Sequence, residues 1–205
     1  MIKNIIFDLG RVIINFEPKD IIKNFCTDDD TVKQIDKEIF ENPEWVMMDA
    51  GAIDEKTFLK NAKQRLPSNI EKLAEKVFLN WHKYLNYIPE TAELIYALKD
   101  SGYKIYLLSN IGERAHEIVK DNPFFDVFDD CIFSCDVKMI KPDIKIFEYA
   151  AQKFGVKPSE SIFVDDMKNN IESANNAGFN GIVFKNAIDA GEKIKKIIRQ
   201  NRKNA

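Results

Sequence analysis

Short apolar runs that stop abruptly at a polar residue, three of them preceded by a helix-patterned stretch and a glycine, constrain this chain more than any other feature. Three are strong: Lys3–Phe7, Lys104–Ser109 and Ser161–Val164. Two are weaker: Cys131–Ser134 and Gly181–Phe184. None alternates strictly between apolar and polar residues, so they predict strands buried on both faces, as in a parallel sheet. Between them, Glu90–Asp100, Ile144–Phe154 and Lys168–Ala177 carry helical periodicity and end at Gly102, Gly155 and Gly178. A recurring helix, glycine, strand order predicts βα units on one sheet, an α/β fold with helices on both faces.

One stretch breaks the rhythm. From Phe16 to Ile88 the pattern is helical only, around Lys19–Cys26, Thr31–Glu41, Glu55–Leu66 and Asn69–Tyr84. Residues 16–88 therefore read as an all-helical subdomain inserted into a core of residues 1–15 and 89–205. The linkers fall near Asn15–Glu17 and Tyr87–Pro89. With 45% hydrophobic residues in 205, the chain can bury a core of this kind.

Thirty Lys+Arg against thirty-three Asp+Glu leave a net charge of −3, which argues against a nucleic-acid partner. The cations at the end of the last helix, Lys195, Lys196, Arg199, Arg202 and Lys203, suit the negative end of a helix dipole. No uncharged apolar run approaches the roughly 18 residues of a membrane span, so no membrane is expected as a partner. Met1–Asp8 meets charge too early for a signal peptide's apolar core. Cys26, Cys131 and Cys135 lack zinc-type spacing and read as buried thiols, predicting a reducing, cytoplasmic location. His82 and His116 read as packing or surface residues. Asp28-Asp29-Asp30 reads as a solvated helix start. Oligomeric state is not encoded in these patterns.

The strand ends carry the chemistry. Asp8 ends the first strand, Ser109-Asn110 the second and Asp165-Asp166 the fourth, while Lys141-Pro142-Asp143 follows the third. Ligands of open parallel sheets bind beyond the carboxyl ends of the strands. Asp8 with an acid of the Asp165-Asp166 pair can hold Mg2+, a cation of oxygen ligands. Ser109 and Lys141 suit an anionic phosphoryl group, and a carboxylate such as Asp8 can attack phosphorus. Taken singly, Asp8 could instead be a strand-end cap, and Asp165-Asp166 the N-cap of the helix that follows.

Phe7-Asp8-Leu9-Gly10, Leu108-Ser109-Asn110, Lys141-Pro142-Asp143 and Phe163-Val164-Asp165-Asp166-x-x-x-Asn170 resemble the four ordered motifs of the haloacid dehalogenase (HAD) superfamily. The resemblance implies a Rossmann-like core, with the helical insert as a type-1 cap. It makes Asp8 the nucleophile, Ser109 and Asn110 phosphate ligands, and Lys141 a phosphate contact that steadies the transferred charge. It also implies Mg2+ held by Asp8, the Gly10 carbonyl and Asp166, with Asp165 and Asn170 supporting from behind. The implied function is a Mg2+-dependent phosphatase acting on a small phosphorylated metabolite through an aspartyl-phosphate.

At position 10 most phosphatases of this superfamily carry a second Asp as general acid and base, and the residue after it is usually Gly. Here Gly10 and Arg11 stand there. The Asp-Leu-Gly start resembles a cytoplasmic branch that includes α-glucose-1-phosphate phosphatases. A sugar 1-phosphate, whose leaving oxygen needs less protonation, is the matching substrate. Trp45, Met47, Met48 and Phe58 read as cap core, or else Trp45–Gly51 is a loop over the site. In the latter case Trp45 and Asp49, with Arg11, would read the leaving group. Two other functions compete: a metal-independent haloacid dehalogenase, and a phospho-ligand-binding protein whose turnover is weakened by the loss at position 10.

Overall fold

The chain alternates between sheet and helix outside one long helical excursion. The computed structural model describes residues 1–120 and 122–203, with only the backbone of Lys203. It begins with β1 (Asn4–Phe7) and β2 (Ile14–Asn15). Five helices follow: α1 (Pro18–Lys23), α2 (Asp29–Ile39), α3 (Pro43–Asp49), α4 (Glu55–Arg65) and α5 (Glu71–Asn80). The chain returns through β3 (Asn86–Tyr87), α6 (Pro89–Asp100), β4 (Lys104–Ser109) and α7 (Ala115–Val119). It continues as β5 (Asp130–Phe133), α8 (Ser134–Val137) and α9 (Ile144–Lys153). It closes with β6 (Ser161–Asp165), α10 (Lys168–Asn176), β7 (Asn180–Val183) and α11 (Ala187–Lys203).

The five long strands form one parallel sheet in the order β5-β4-β1-β6-β7. From β1 the chain builds outward to β4 and β5, then returns to the other side of β1 for β6 and β7. The reversal puts the ends of β1, β4 and β6 side by side, which is where open sheets bind ligands. Successive strand residues face opposite ways, so Ile5 and Phe7 join one apolar layer and Ile6 the other. The first layer takes in Ile95 of α6 and Ile194 of α11; the second takes in Phe147 of α9 and Ile171 of α10. The predicted α/β architecture with both faces covered is what forms. Only the edge strands β5 and β7 sit one residue earlier than their apolar runs, because pairing with an inner neighbour, not hydropathy, sets their limits.

The segment between the linkers departs from the sequence reading in three ways. The linkers are themselves paired: β2 and β3 form a two-residue antiparallel ribbon, Ile14 opposite Tyr87 and Asn15 opposite Asn86, so the stretch 16–88 is not wholly free of strand. Trp45–Gly51 is not a loop but mostly helix α3, started by Pro43 and by Asn42 Oδ1, which accepts the Glu44 N–H at 3.0 Å. Seven residues are too few to display a periodicity. Met47, expected in the core, faces outward and is 45% exposed, whereas Trp45, Met48 and Phe58 are buried. The acidic run behaves as expected: Asp28 caps α2 by accepting the Thr31 N–H at 2.9 Å.

Candidate active site

Lys141 is the hub. It comes from the turn between α8 and α9, is 4% exposed, and its Nζ donates to Asp8 Oδ1 at 2.7 Å, Asp165 Oδ2 at 2.7 Å and the Leu108 carbonyl at 3.0 Å. An ammonium has three donors, and all three are engaged. Burial alone would pull the ammonium down, but Asp8 and Asp165 outweigh it and hold Lys141 above its ordinary range. Its backbone is fixed by Asn110, whose Nδ2 donates to the Lys141 carbonyl at 2.8 Å and whose Oδ1 accepts the Lys141 N–H at 2.9 Å. The Asn110 side chain is thereby tied to the Lys141 main chain through both its oxygen and its nitrogen.

Asp8, buried just beyond β1, is anchored by its N–H to the Val164 carbonyl at 2.9 Å. Burial pushes its carboxyl up to about 7; Lys141 pulls it back and the Asp165 charge pushes it further up. Asp165 is fully buried, and besides Lys141 it accepts from Asn170 Nδ2 at 3.0 Å and from the Met167 N–H at 2.8 Å. Asp166 is half-buried; burial raises it, Asp165 adds to the rise and Arg11 opposes it. Oxygens of Asp8, Asp165 and Asp166 all lie within 4.8 Å of one another. One ammonium among three carboxylates leaves a negative excess. An all-oxygen donor set of that charge fits Mg2+ well, and a divalent cation would return Asp8 to its ionised form.

The structure brings Gly10, Trp45, Asp49, Ser109 and Asn110 around one cavity of about 110 Å³, room for three or four waters. It does not bring Arg11 there: that side chain is half-exposed, with its Nε 3.4 Å from Glu17. Arg11 holds a left-handed backbone (φ 57°), which explains why glycine is usual at this position. Gly10 is in no such conformation, and a Cβ there would meet no atom within 4 Å.

Asp49, the last residue of α3, is 8% exposed, and its Oδ1 has no hydrogen-bond partner. Burial pushes its carboxyl up to about 7 against the weaker pull of the Gly112 N–H and the Trp45 indole.

Three contributors escaped the sequence reading. Phe16 and Trp81 line the cavity and pack edge to face at 5.5 Å. Ser134 donates its Oγ to the Asp49 carbonyl at 2.5 Å and accepts the Ile111 N–H at 2.9 Å, tying α3 to the core. Phe16 lies inside the first linker, a position that could have marked it, whereas Trp81, six residues before the second, carries no such signal.

Elsewhere, His82 and Glu117 pair at 2.9 Å beside a surface cleft of about 710 Å³ that shares no lining residue with the acids. His116 lies 3.0 Å from Asp136, with Cys135 adjacent. The three cysteines are unpaired and partly buried; burial raises the Cys131 and Cys135 thiols to about 12, with Asp130 and Asp136 adding to it. No described helix is long and apolar enough to cross a membrane.

Comparison with known proteins gives a consistent picture. Over 201 residues the chain is 26% identical to D-ribitol-5-phosphate phosphatase of Bacteroides thetaiotaomicron, covering 92% of this chain and 95% of that protein. It is 33% identical to (S)-2-haloacid dehalogenase 4A of Burkholderia cepacia over 102 residues, 49% of this chain and 44% of that one. The chain spans about half the length of several curated relatives it matches. A HAD family enzyme from B. thetaiotaomicron, solved with magnesium and inorganic phosphate, superposes with a TM-score of 0.71 at 25% identity, covering 90% of this chain and 95% of that one. Residues 5–184 match the family model of haloacid dehalogenase-like hydrolases, and with the four strand-end motifs folded onto one sheet edge, the chain belongs to that family.

Proposed function

We propose that this protein is a Mg2+-dependent phosphatase that hydrolyses phosphomonoesters of a small sugar or polyol, sugar 1-phosphates included, through an aspartyl-phosphate on Asp8. The observation that carries this reading is the cluster of Asp8, Asp165 and Asp166 around a single buried ammonium. Asp8, Asp166 and the Gly10 carbonyl would hold the cation, since Asp165 already accepts from Lys141, Asn170 and Met167. When bound, Mg2+ supplies charge neutralisation that keeps Asp8 ionised and screens the phosphoryl oxygens from the acids.

The chain's own groups do the rest. Asp8 attacks phosphorus, the ester oxygen leaves, and water then cleaves the acyl phosphate to return Asp8. Ser109 Oγ and the N–H groups after it donate to phosphoryl oxygens, and Lys141 stabilises the charge that develops on them. Asp165 and Asn170 position Lys141 and the metal-bearing turn. Residues 16–88 act as a cap over the core of residues 1–15 and 89–205, hinged at the β2–β3 ribbon, and close the site with Trp45, Phe16 and Trp81. Similarity to a ribitol-phosphate phosphatase over nearly the whole chain supports a polyol or sugar substrate.

Likeness to haloacid dehalogenases keeps a second reading in view, displacement of halide by Asp8 without metal; the three clustered acids favour the phosphatase. The deciding experiment is a screen of phosphorylated metabolites and 2-haloacids with added Mg2+ and with EDTA. Phosphate release that EDTA abolishes, and that Asp8→Asn lowers to below about a tenth of wild type, one tenfold step in barrier, is expected. Halide release surviving EDTA would replace this reading with the dehalogenase.

A further inference from the structure

An ester oxygen that departs as an alkoxide needs a proton, and the nucleophile's own turn offers none. Gly10 has no side chain, Lys141 is saturated by its three acceptors, and Asp165 is fully bonded. Ser109, at the end of β4, is taken in this reading by the phosphoryl oxygens. Among the described residues, the acid on the cavity wall is Asp49, delivered by the last turn of α3.

We propose that Asp49 is the general acid and base of this enzyme, reaching the leaving oxygen from the cap and replacing the carboxyl that Gly10 lacks. The proposal rests on the phosphatase reading and adds to it the group that handles the proton. Three features support it. Asp49 is more than nine-tenths buried, its Oδ1 makes no hydrogen bond, and the residue still lines the cavity; a buried polar atom without a partner costs free energy. Its main chain is clamped, with the carbonyl accepting from Ser134 Oγ and the following turn closed by Gly51 against Cys135, so the carboxyl is held rather than swinging. Its burial in an apolar wall of Trp45, Trp81 and Ile111 keeps the carboxyl protonated near neutrality, as donation requires.

The bonds balance. In the first half, the Asp8 oxygen–phosphorus bond forms, the phosphorus–ester oxygen bond breaks, and the Asp49 proton passes to the departing oxygen to give an alcohol. In the second half, water attacks phosphorus, its proton returns to Asp49, and the acyl-phosphate bond breaks to release inorganic phosphate and Asp8. A leaving oxygen of any acidity can then be served, so the missing carboxyl at position 10 does not confine the enzyme to activated esters.

The test is a leaving-group series with Mg2+, from 4-nitrophenyl phosphate through sugar 1-phosphates to primary alkyl phosphates. With the proton supplied by Asp49, wild-type kcat/KM depends weakly on leaving-group pKa. Asp49→Asn should lose roughly a hundredfold or more on alkyl phosphates, the scale of general acid catalysis, and less than about threefold on 4-nitrophenyl phosphate, whose leaving group needs no proton. Adding Gly10→Asp to that variant should restore the alkyl substrates, because the site at position 10 has open space for a side chain. Equal losses on every substrate, or no loss, would overturn the assignment. A steep wild-type dependence would overturn it too, and that measurement needs no variant to fold. Absence of phosphate release from every ester would overturn the phosphatase reading itself, and this proposal with it.

Discussion

What surrounds a buried acid decides whether it holds its proton, and Asp49 shows how. Asp49 is buried with no cation beside it, so its neutral form is favoured. Its carboxyl ionises near 3.8 in the unfolded chain and near 7 in the native state. Between those values the native state holds the extra proton, so the stability associated with this group is intact below pH 4 and is lost as pH rises through about 7. The loss is up to about 4 kcal/mol at roughly 1.4 kcal/mol per pH unit. Asp49→Asn removes that loss. Urea unfolding from pH 4 to 8 should therefore show the variant gaining on wild type as pH rises, with the raised Asp8 common to both proteins and cancelling. A gap that stays constant with pH would show that Asp49 is ionised throughout.

At the scale of elements, the docking of α3 decides how closely the helical segment approaches the sheet's carboxyl edge. The turn that ends α3 closes on Gly51, whose backbone is left-handed (φ 65°) and whose position would bring a Cβ to 2.7 Å from the Cys135 carbonyl. Gly155 has nearly the same φ, 64°, but nothing within 4 Å of a Cβ. Both Gly→Ala changes carry the backbone cost of roughly 1–3 kcal/mol, and Gly51→Ala carries the clash as well. Denaturation should rank Gly51→Ala as clearly the more damaging. Equal costs would mean that α3 does not pack this closely on α8.

Across the whole molecule, the first apolar layer does not stop at the linkers. It runs from Ile5 and Phe7 of the sheet through Ile14 and Ile111 to Trp45, Phe58 and Trp81. A continuous core makes separate melting of the helical segment unfavourable, so one cooperative transition is expected. Both tryptophans lie within residues 16–88, which makes the comparison direct. Tryptophan fluorescence and far-UV circular dichroism should give the same midpoint in urea. An earlier fluorescence transition would show that the helical segment unfolds by itself.

Much of this was legible in the one-dimensional pattern, because a strand buried on both faces needs an unbroken apolar run and its end is marked by the first polar residue. The strand ends at Asp8, Ser109 and Asp165 are marked that way, as are the helices that stop at glycine. The edge strands slipped by a residue and α3 went unseen, since pairing partners and a seven-residue helix leave too little local signal. Strand order, and hence the meeting of residues 8, 109, 141 and 165, is a property of the folded sheet alone. So are the engagement of the Asn110 side chain with Lys141, the tether from Ser134 to Asp49, and the placing of Phe16 beside Trp81. Residue types and local periodicity determine which elements form and which strand ends bear acids. Contacts between residues as far apart as Asp49 and Ser134 depend on how those elements pack, and only the tertiary structure decided that Asp49 from the helical segment would line the same cavity as Gly10, Ser109 and Asn110.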